Sequence, residues 1–300
     1  MKLKPAFLLL VTSTVIWGAT APIMKVTLTQ VPLFTLAFTR QILAAGLLLP
    51  FVLNDLKIQK EDLKPLILTT LLGTNINLFL FFKGLELTEA INASIITAAV
   101  PIITLFAAHL YLKEKLTLRL ILASITAFLG TLVIVGAPIL SLNLKAAIGN
   151  LLLIAATFAF VAYEIYAKKL LQKYSALKLT FFMFVIAAVI FMPFSAFEFI
   201  KNPNWPASVN IEGLLGILYG VFLASALASY FWQKGLSLLP AGEAALFFYI
   251  DPISGIIASI MLLGERISHS FTLGAILIVV GVFLAEHHRK NHILHKRRIN

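Results

Sequence analysis

The chain has 300 residues, 60% of them apolar and 12% charged, with a mean hydropathy of +0.97, where soluble domains are roughly 45–50% apolar. Water cannot solvate such a surface, so a soluble enzyme or binding domain is excluded despite the net charge of +11. The sequence contains no cysteine, which removes disulfides, thiolate nucleophiles and thiolate metal sites.

A hydrocarbon core about 30 Å thick is spanned by about 20 apolar helical residues. Ten segments of that kind follow one another: 5–27, 32–53, 64–83, 91–112, 117–136, 146–168, 177–199, 211–234, 243–263 and 271–288. The first follows Lys2 and Lys4 and contains Ala19-Thr20-Ala21, which imitates a signal-peptidase site; Pro22 argues against cleavage, and the apolar run continues past it. The second holds Arg40 and the third holds Asn75 and Asn77. The fourth is interrupted by Pro101, carries His109 near its end and is closed by Glu114. The sixth contains Tyr163 and Glu164, the latter four residues before Lys168 and so placed for a helical ion pair. The eighth carries Ser225, Ser229 and Trp232, with a stripe of small residues at Gly216, Gly220, Ala224 and Ala228; such a stripe is a packing face, internal or dimeric. The ninth contains Tyr249, Asp251 and Pro252 and is closed by Glu265. The expected fold is an all-α integral membrane protein; a β-barrel would need alternating segments of about ten residues instead.

Ten spans put both termini on one side. With the N-terminus inside, 18 of the 24 Lys and Arg fall on inside segments; Lys25, Lys83, Lys145, Lys201 and Arg266 fall outside, and Arg40 lies within a span. This is the positive-inside bias of a multi-pass protein of the cytoplasmic membrane with both termini cytoplasmic, and it accounts for the charge without any nucleic acid. The basic tail 289–300 reads as a solvated stop-transfer segment or a contact for anionic lipid. Its histidines do not amount to a metal site, and no cofactor is expected.

Sliding the sequence against itself by 151 positions gives 14 identities over 56 pairs, among them Lys83/Lys234, Gly84/Gly235, Pro101/Pro252, Glu114/Glu265 and Gly130/Gly281. Shared Leu, Ile and Ala mean little in an apolar chain, but the Lys-Gly pair, the proline and the helix-end glutamate at one offset mark a duplication. The halves are 1–144 and 145–288. Five spans is an odd number, so the second half enters the membrane from the opposite side, giving two inverted five-helix repeats.

Trp17-Gly18, Arg40, Lys83-Gly84-Leu85, Pro101 and Leu112-Lys113-Glu114, with the second-copy set Lys234-Gly235-Leu236, Pro252 and Leu263-Gly264-Glu265-Arg266, resemble the drug/metabolite transporter superfamily in its ten-helix EamA-type branch. The resemblance runs over about residues 5 to 288. It implies two bundles around a central cavity, lined mainly by helices 1, 3, 4, 6, 8 and 9, through which amino acids, metabolites or drugs move.

Asp251 is the most informative residue, because an aspartate deep in a span costs about 2.5–3.5 kcal/mol on insertion scales. Its repeat partner is Val100, so the halves differ chemically there. Asp251 either faces the cavity, binding an amine or a proton, or pairs with Arg40 as a structural element. Pro101 and Pro252 break matched helices and point to a site between the halves. Glu114 and Glu265 lie at opposite faces as gate carboxylates, pairing with Lys115 or Arg266 or with a neighbouring helix end, or else as exposed interfacial acids. Trp17, Asn75, Asn77, Tyr163, Ser225, Ser229, Trp232 and Tyr249 supply aromatic and neutral polar groups for a cavity suited to zwitterionic or aromatic solutes. Phosphates would call for more deep cations than Arg40 alone.

The reading is a secondary transporter of a small solute, working by alternating access, with export as the expected direction and a homodimer as one arrangement the small-residue stripe allows. A Walker sequence, H-E-x-x-H and G-x-S-x-G are absent from the sequence, which disfavours ATP drive and an intramembrane enzyme. A non-transporting scaffold or receptor is the alternative.

Overall fold

The computed structural model describes residues 3–88, 93, 96–135, 144–263, 273–274 and 276–281. All regular structure among them is helical. In chain order the elements are α1 (Leu3–Thr27), α2 (Leu33–Leu48, followed by a 3-10 turn Leu49–Phe51), α3 (Lys60–Leu87), α4 (Val100–Leu112), α5 (Leu118–Val135), α6 (Leu144–Leu170), α7 (Ala176–Lys201) and α8 (Ile211–Leu238). α9 covers 241–263 as three pieces, Ala241–Ala245, a 3-10 segment Leu246–Ile250, and Asp251–Leu263. Helical residues within 273–281 follow. Glu265, Arg266 and the tail 289–300 lie outside the described residues.

Among the described residues, six helices, namely α1, α2 with its 3-10 turn, α3, α6, α7 and α8, are long and apolar enough to cross a membrane, while α4 and α5 are apolar but shorter. Their outer surface fits lipid rather than water: Leu8 (66%), Phe51 (74%), Ile200 (76%) and Met261 (81%) stand exposed. Inside the helices, hydroxyls such as those of Thr14, Thr69, Thr157 and Thr180 donate to the carbonyl four residues back, so they need no water. The third helix is longer than its apolar run suggests because the charged residues Lys60, Glu61, Asp62 and Lys64 form its first turn.

Helix ends follow local chemistry. Ser175 caps α7 by accepting from the Lys178 N–H, and Asn210 caps α8 by accepting from the Glu212 and Gly213 N–H groups. α4 ends on Lys113 at φ 58°, a left-handed position that favours glycine. The residue 151 positions on is Gly264.

Packing crosses between the two halves of the chain. α1 lies against α8 and α9, and in the matching positions α6 lies against α3 and α4. α2 packs on its counterpart α7, antiparallel: Asp55 beyond the end of α2 meets Lys178 at the start of α7 (2.6 Å), and Glu198 near the end of α7 accepts from Phe34 and Thr35 N–H at the start of α2 (3.0 and 2.7 Å). A Cβ on Gly130 would meet the Gly274 carbonyl at 2.7 Å, and one on Gly281 would meet the Ala123 carbonyl at 2.8 Å. These contacts are reciprocal, since 123/274 and 130/281 are both pairs at the offset of 151.

The small-residue stripe of α8 is an internal packing face and not a dimer seam. Gly216 admits Thr27 of α1, Gly220 admits Arg40 of α2, and the Ala224 and Ala228 carbonyls accept from Trp17 and Ser13 of α1. Small side chains let three helices approach closely enough for these bonds.

Candidate functional site

A cavity of about 190 Å³ sits between the halves, lined by residues from α1, α2, α3, α6, α7, α8 and α9 together with Ala93, Thr97 and Val100. The contributions of α2 and α7 exceed the expected set of lining helices. α2 enters because Arg40 reaches across from it, and α7 because Thr180, Met183 and Phe184 face the same space.

Arg40 and Asp251 both line this cavity, and they do not bond to each other. The structural pair, the alternative to a cavity-facing aspartate, is therefore not formed. The Arg40 Nε donates to the Gly220 carbonyl (3.3 Å) and the Ser225 hydroxyl (3.2 Å), Nη1 approaches the Met24 sulfur (3.8 Å), and the guanidinium lies over the Phe82 ring at 5.6 Å. All of these partners are neutral, so its charge is uncompensated among the described residues. The Asp251 carboxylate has no hydrogen-bond or ion-pair partner there, and its Oδ1 is shut off from solvent. Buried unpaired charges are costly, and two of opposite sign sharing one cavity suggest that something else supplies the partners.

The carbonyls that hold Arg40 and Trp17 come from a stretch with i→i+5 bonding, Tyr219–Leu227 in α8. Its wider turn turns carbonyls outward: Gly220 accepts from Arg40, and Ala224 accepts from the Trp17 indole N–H (2.9 Å). α3 has a matching stretch, Leu71–Ile76. Gly73 lies in it, where a Cβ would collide with the Tyr163 ring.

Trp17, Asn77, Tyr163, Ser225 and Ser229 line the cavity as expected from their types. Asn75 does not: its amide donates to the Ala187 carbonyl of α7 (3.2 Å), serving helix packing. Trp232 is fully buried beneath the cavity, 4.5 Å from Phe248 and 5.5 Å from Trp17 between ring centroids. Tyr249 faces away and shares a hydrogen bond with Ser124 of α5 (2.8 Å). Periodicity could not separate these faces because every face of these helices is apolar. Phe160, Phe248 and Gln233 line the cavity and were missed, as ordinary apolar or amide residues in apolar helices.

Pro101 and Pro252 are buried and do not line the cavity. Each stands in the first turn of a helical piece, α4 and the last piece of α9, where the missing N–H has no intrahelical partner to lose. Pro101 follows the turn 98–99, and Pro252 stands just after the 3-10 segment 246–250.

Beyond the cavity, toward the start of α1, the helices close. Phe7 meets Phe247 edge-on at 5.4 Å, and Leu10 fills the space over Gly235. Glu114 does not pair with Lys115; its carboxylate accepts from the Ala241 and Gly242 N–H groups (2.7 and 3.0 Å), capping the start of α9. Glu114→Ala is expected to cost about 0.5–2 kcal/mol through loss of this cap, read as a lowered thermal midpoint in detergent. Lys168 does not pair with Glu164 but donates to the Leu236 and Leu239 carbonyls at the end of α8 (2.6 and 2.5 Å). On the same side Asp62 binds Lys173 (2.8 Å) and Tyr174 (2.7 Å), and holds the Lys173 ammonium above its ordinary value. His109, exposed, bonds to the Glu114 carbonyl (2.8 Å).

Gly18 brings α1 onto α9 directly at Asp251: a Cβ there would collide with the Asp251 carbonyl and the Ser254 hydroxyl. Gly18→Ala is expected to destabilise by about 1–3 kcal/mol and to shift Asp251, measurable as a lower melting temperature together with lost transport.

A bundle of membrane-spanning helices around a charged, aromatic-lined internal cavity has the form of a solute carrier. The sequence profile of the EamA-like transporter family matches residues 4–136 and again 147–286, and the chain belongs to that family. It is 24% identical over 285 residues to the uncharacterized transporter YetK of Bacillus subtilis (strain 168), covering 93% of this chain and 86% of that one. An S-adenosylmethionine uptake transporter of Rickettsia prowazekii (strain Madrid E) is 25% identical over 257 residues, covering 84% and 82%. A solved crystal structure superimposes with a TM-score of 0.76 at 18% identity, covering 93% of this chain and 96% of the other, which shows the shared fold. The protein is thus a multi-pass membrane transporter of a small solute.

Proposed function

We propose that the protein is a secondary transporter for small zwitterions, with Arg40 receiving the solute's carboxylate, Asp251 its cationic group, and Trp17, Phe160 and Phe248 its apolar body. The observation that carries this reading is the pair of oppositely charged side chains, Arg40 buried and Asp251 with one carboxylate oxygen shut off from solvent, that share a cavity without pairing. Drug-sized pockets run to roughly 300–1,000 Å³, so about 190 Å³ favours a metabolite of amino-acid size. The relative named for S-adenosylmethionine uptake handles a solute that combines an amino-acid zwitterion with an aromatic ring, the same two features.

Alternating access between two inverted five-helix halves, 1–144 and 145–288, is the mechanism we propose. Its support is the double match to one family, the antiparallel pairing of α2 with α7, and the reciprocal contacts of Gly130 and Gly281. In this reading ten spans are present, the termini face the cytoplasm, and Glu114 with Ala241 and Gly242 closes the inner face, with Glu265 as the gate carboxylate of the opposite one. Glu114→Gln and Glu265→Gln then bias access to opposite sides.

The test is transport in proteoliposomes of labelled amino acids and betaines beside their decarboxylated amines and N-acylated acids, with and without a pH gradient. Zwitterions moving at least tenfold faster than both partial analogues support the reading; equal rates for all three classes overturn it. Loading the solute inside or outside the vesicles tests export as the working direction.

A further inference from the structure

One buried acid is left unused by the solute site. Glu164 on α6 is fully buried and lies outside the cavity lining, next in sequence to the cavity residue Tyr163. Its Oε2 accepts from the Thr104 hydroxyl of α4 (2.7 Å), itself fully buried, while Oε1 has no partner. Thr104 lies one helical turn beyond the cavity residue Val100, in the closed layer between the cavity and the Glu114 cap of α9. A carboxylate there is hard to keep ionised while the layer is shut, and easy once water or a cation enters.

The surrounding charges sharpen this. Just beyond α4, the Glu114 carboxylate is held by the Ala241 and Gly242 N–H groups, and His109 is turned to the Glu114 carbonyl at the exposed end. On α6 itself, Tyr163 accepts from Gln233 (2.8 Å) and Lys168 is directed to the end of α8. α3 brings Asp62, engaged by Lys173 and Tyr174; α8 brings Tyr230 and Lys234, and α9 brings Glu243. Among the described residues no cation is bonded to Glu164.

We propose that Glu164 is the transporter's proton-binding site: it is protonated when the layer between α4, α6 and α9 is shut, and releases its proton when that layer opens to the side of the N-terminus. The balance is one proton bound on closing and one released on opening, with no other group changed. Asp251 then serves the solute and Glu164 the proton. The inference rests on the alternating-access reading above.

The absence of cysteine supplies the test background. Ala156→Cys places a thiol on the cavity wall. The full-length protein is reconstituted in oriented vesicles in choline-based, sodium-free buffer, and a membrane-impermeant maleimide is added on the N-terminal side. In the Ala156→Cys protein the labelling rate, taken throughout relative to free cysteine at the same pH so that the ordinary rise in thiolate cancels, is expected to rise at least fivefold from pH 5.5 to pH 8.5. With Glu164→Gln, which keeps the size and the Thr104 bond but cannot ionise, this relative rate is expected to stay at the acid value throughout. Thr104→Val keeps the acid and is expected to retain a pH response with a displaced midpoint. A Glu164→Gln protein that keeps the full pH response, or a parent rate that is high and flat with pH, overturns the inference and leaves alternating access standing. A thiol never labelled from that side, at any pH or with saturating zwitterion, overturns both. Because labelling at varied pH requires no solute, a wrong substrate class does not affect the result.

Discussion

Asp251→Asn is expected to weaken apparent affinity for a zwitterion by about 10- to 150-fold, the loss of one charge-assisted hydrogen bond of about 1.5–3 kcal/mol, while N-acylated acids change little. Stability separates this from a structural role. Breaking a buried ion pair costs about 3–5 kcal/mol, so a structural aspartate replaced by asparagine would lower the melting temperature sharply. Here one carboxylate oxygen is shut off from solvent without a partner, and asparagine removes a partly desolvated charge at nearly constant volume. The variant is expected to melt at or above the temperature of the parent. A large drop in melting temperature, or unchanged zwitterion affinity, would overturn the assignment.

Arg40→Gln is expected to give the complementary phenotype. Zwitterion affinity falls by a similar 10- to 150-fold, while the decarboxylated amine, which never used the guanidinium, is far less affected. The arginine also ties α2 to the Gly220 carbonyl and Ser225 of α8. Some stability is lost as well, about 1–3 kcal/mol for the acceptors left behind. Arg40→Lys keeps the charge but not the planar fork, and its point charge cannot satisfy Gly220, Ser225 and a carboxylate together. It is expected to retain fold while binding zwitterions about tenfold more weakly, read by competition in the same vesicles. If Arg40→Gln lowers amine and zwitterion transport equally, the residue is a helix tie and not a carboxylate anchor.

Much of the architecture was open to reading before any coordinates. Long apolar runs became membrane helices because, in lipid, a segment of that length and composition has few other ways to satisfy its backbone. The Lys-Gly, proline and glutamate pairs at one offset fall within the two stretches that match one family, 4–136 and 147–286, and Pro101 and Pro252 stand at the starts of helical pieces. Arg40 and Asp251 stood out because ionisable groups are expensive in a span. Their relation did not: whether they pair depends on the spacing of α2 and α9, which Gly18 and Gly220 set through contacts more than 200 residues apart in one case and 180 in the other.

Other residues misled for identifiable reasons. Glu164 and Lys168 have ideal helical spacing, yet Lys168 is drawn to carbonyls at the end of α8 that no local rule anticipates. Asn75, Trp232 and Tyr249 have the chemistry of cavity residues but face α7, the packed layer beneath the cavity, and α5. The widened turns in α3 and α8 left no mark in residue type. They accompany partners from elsewhere, such as Trp17 and Arg40, that take the exposed carbonyls.

What the sequence determined alone is the solvent, the element type and the short list of costly charges, since each follows from local composition. Tertiary structure decided which charges remain unpaired, which aromatic faces reach the cavity, and that Glu164 is sealed behind it. Those depend on which face of an all-apolar helix meets a neighbour, and one-dimensional periodicity cannot show that when every face is apolar.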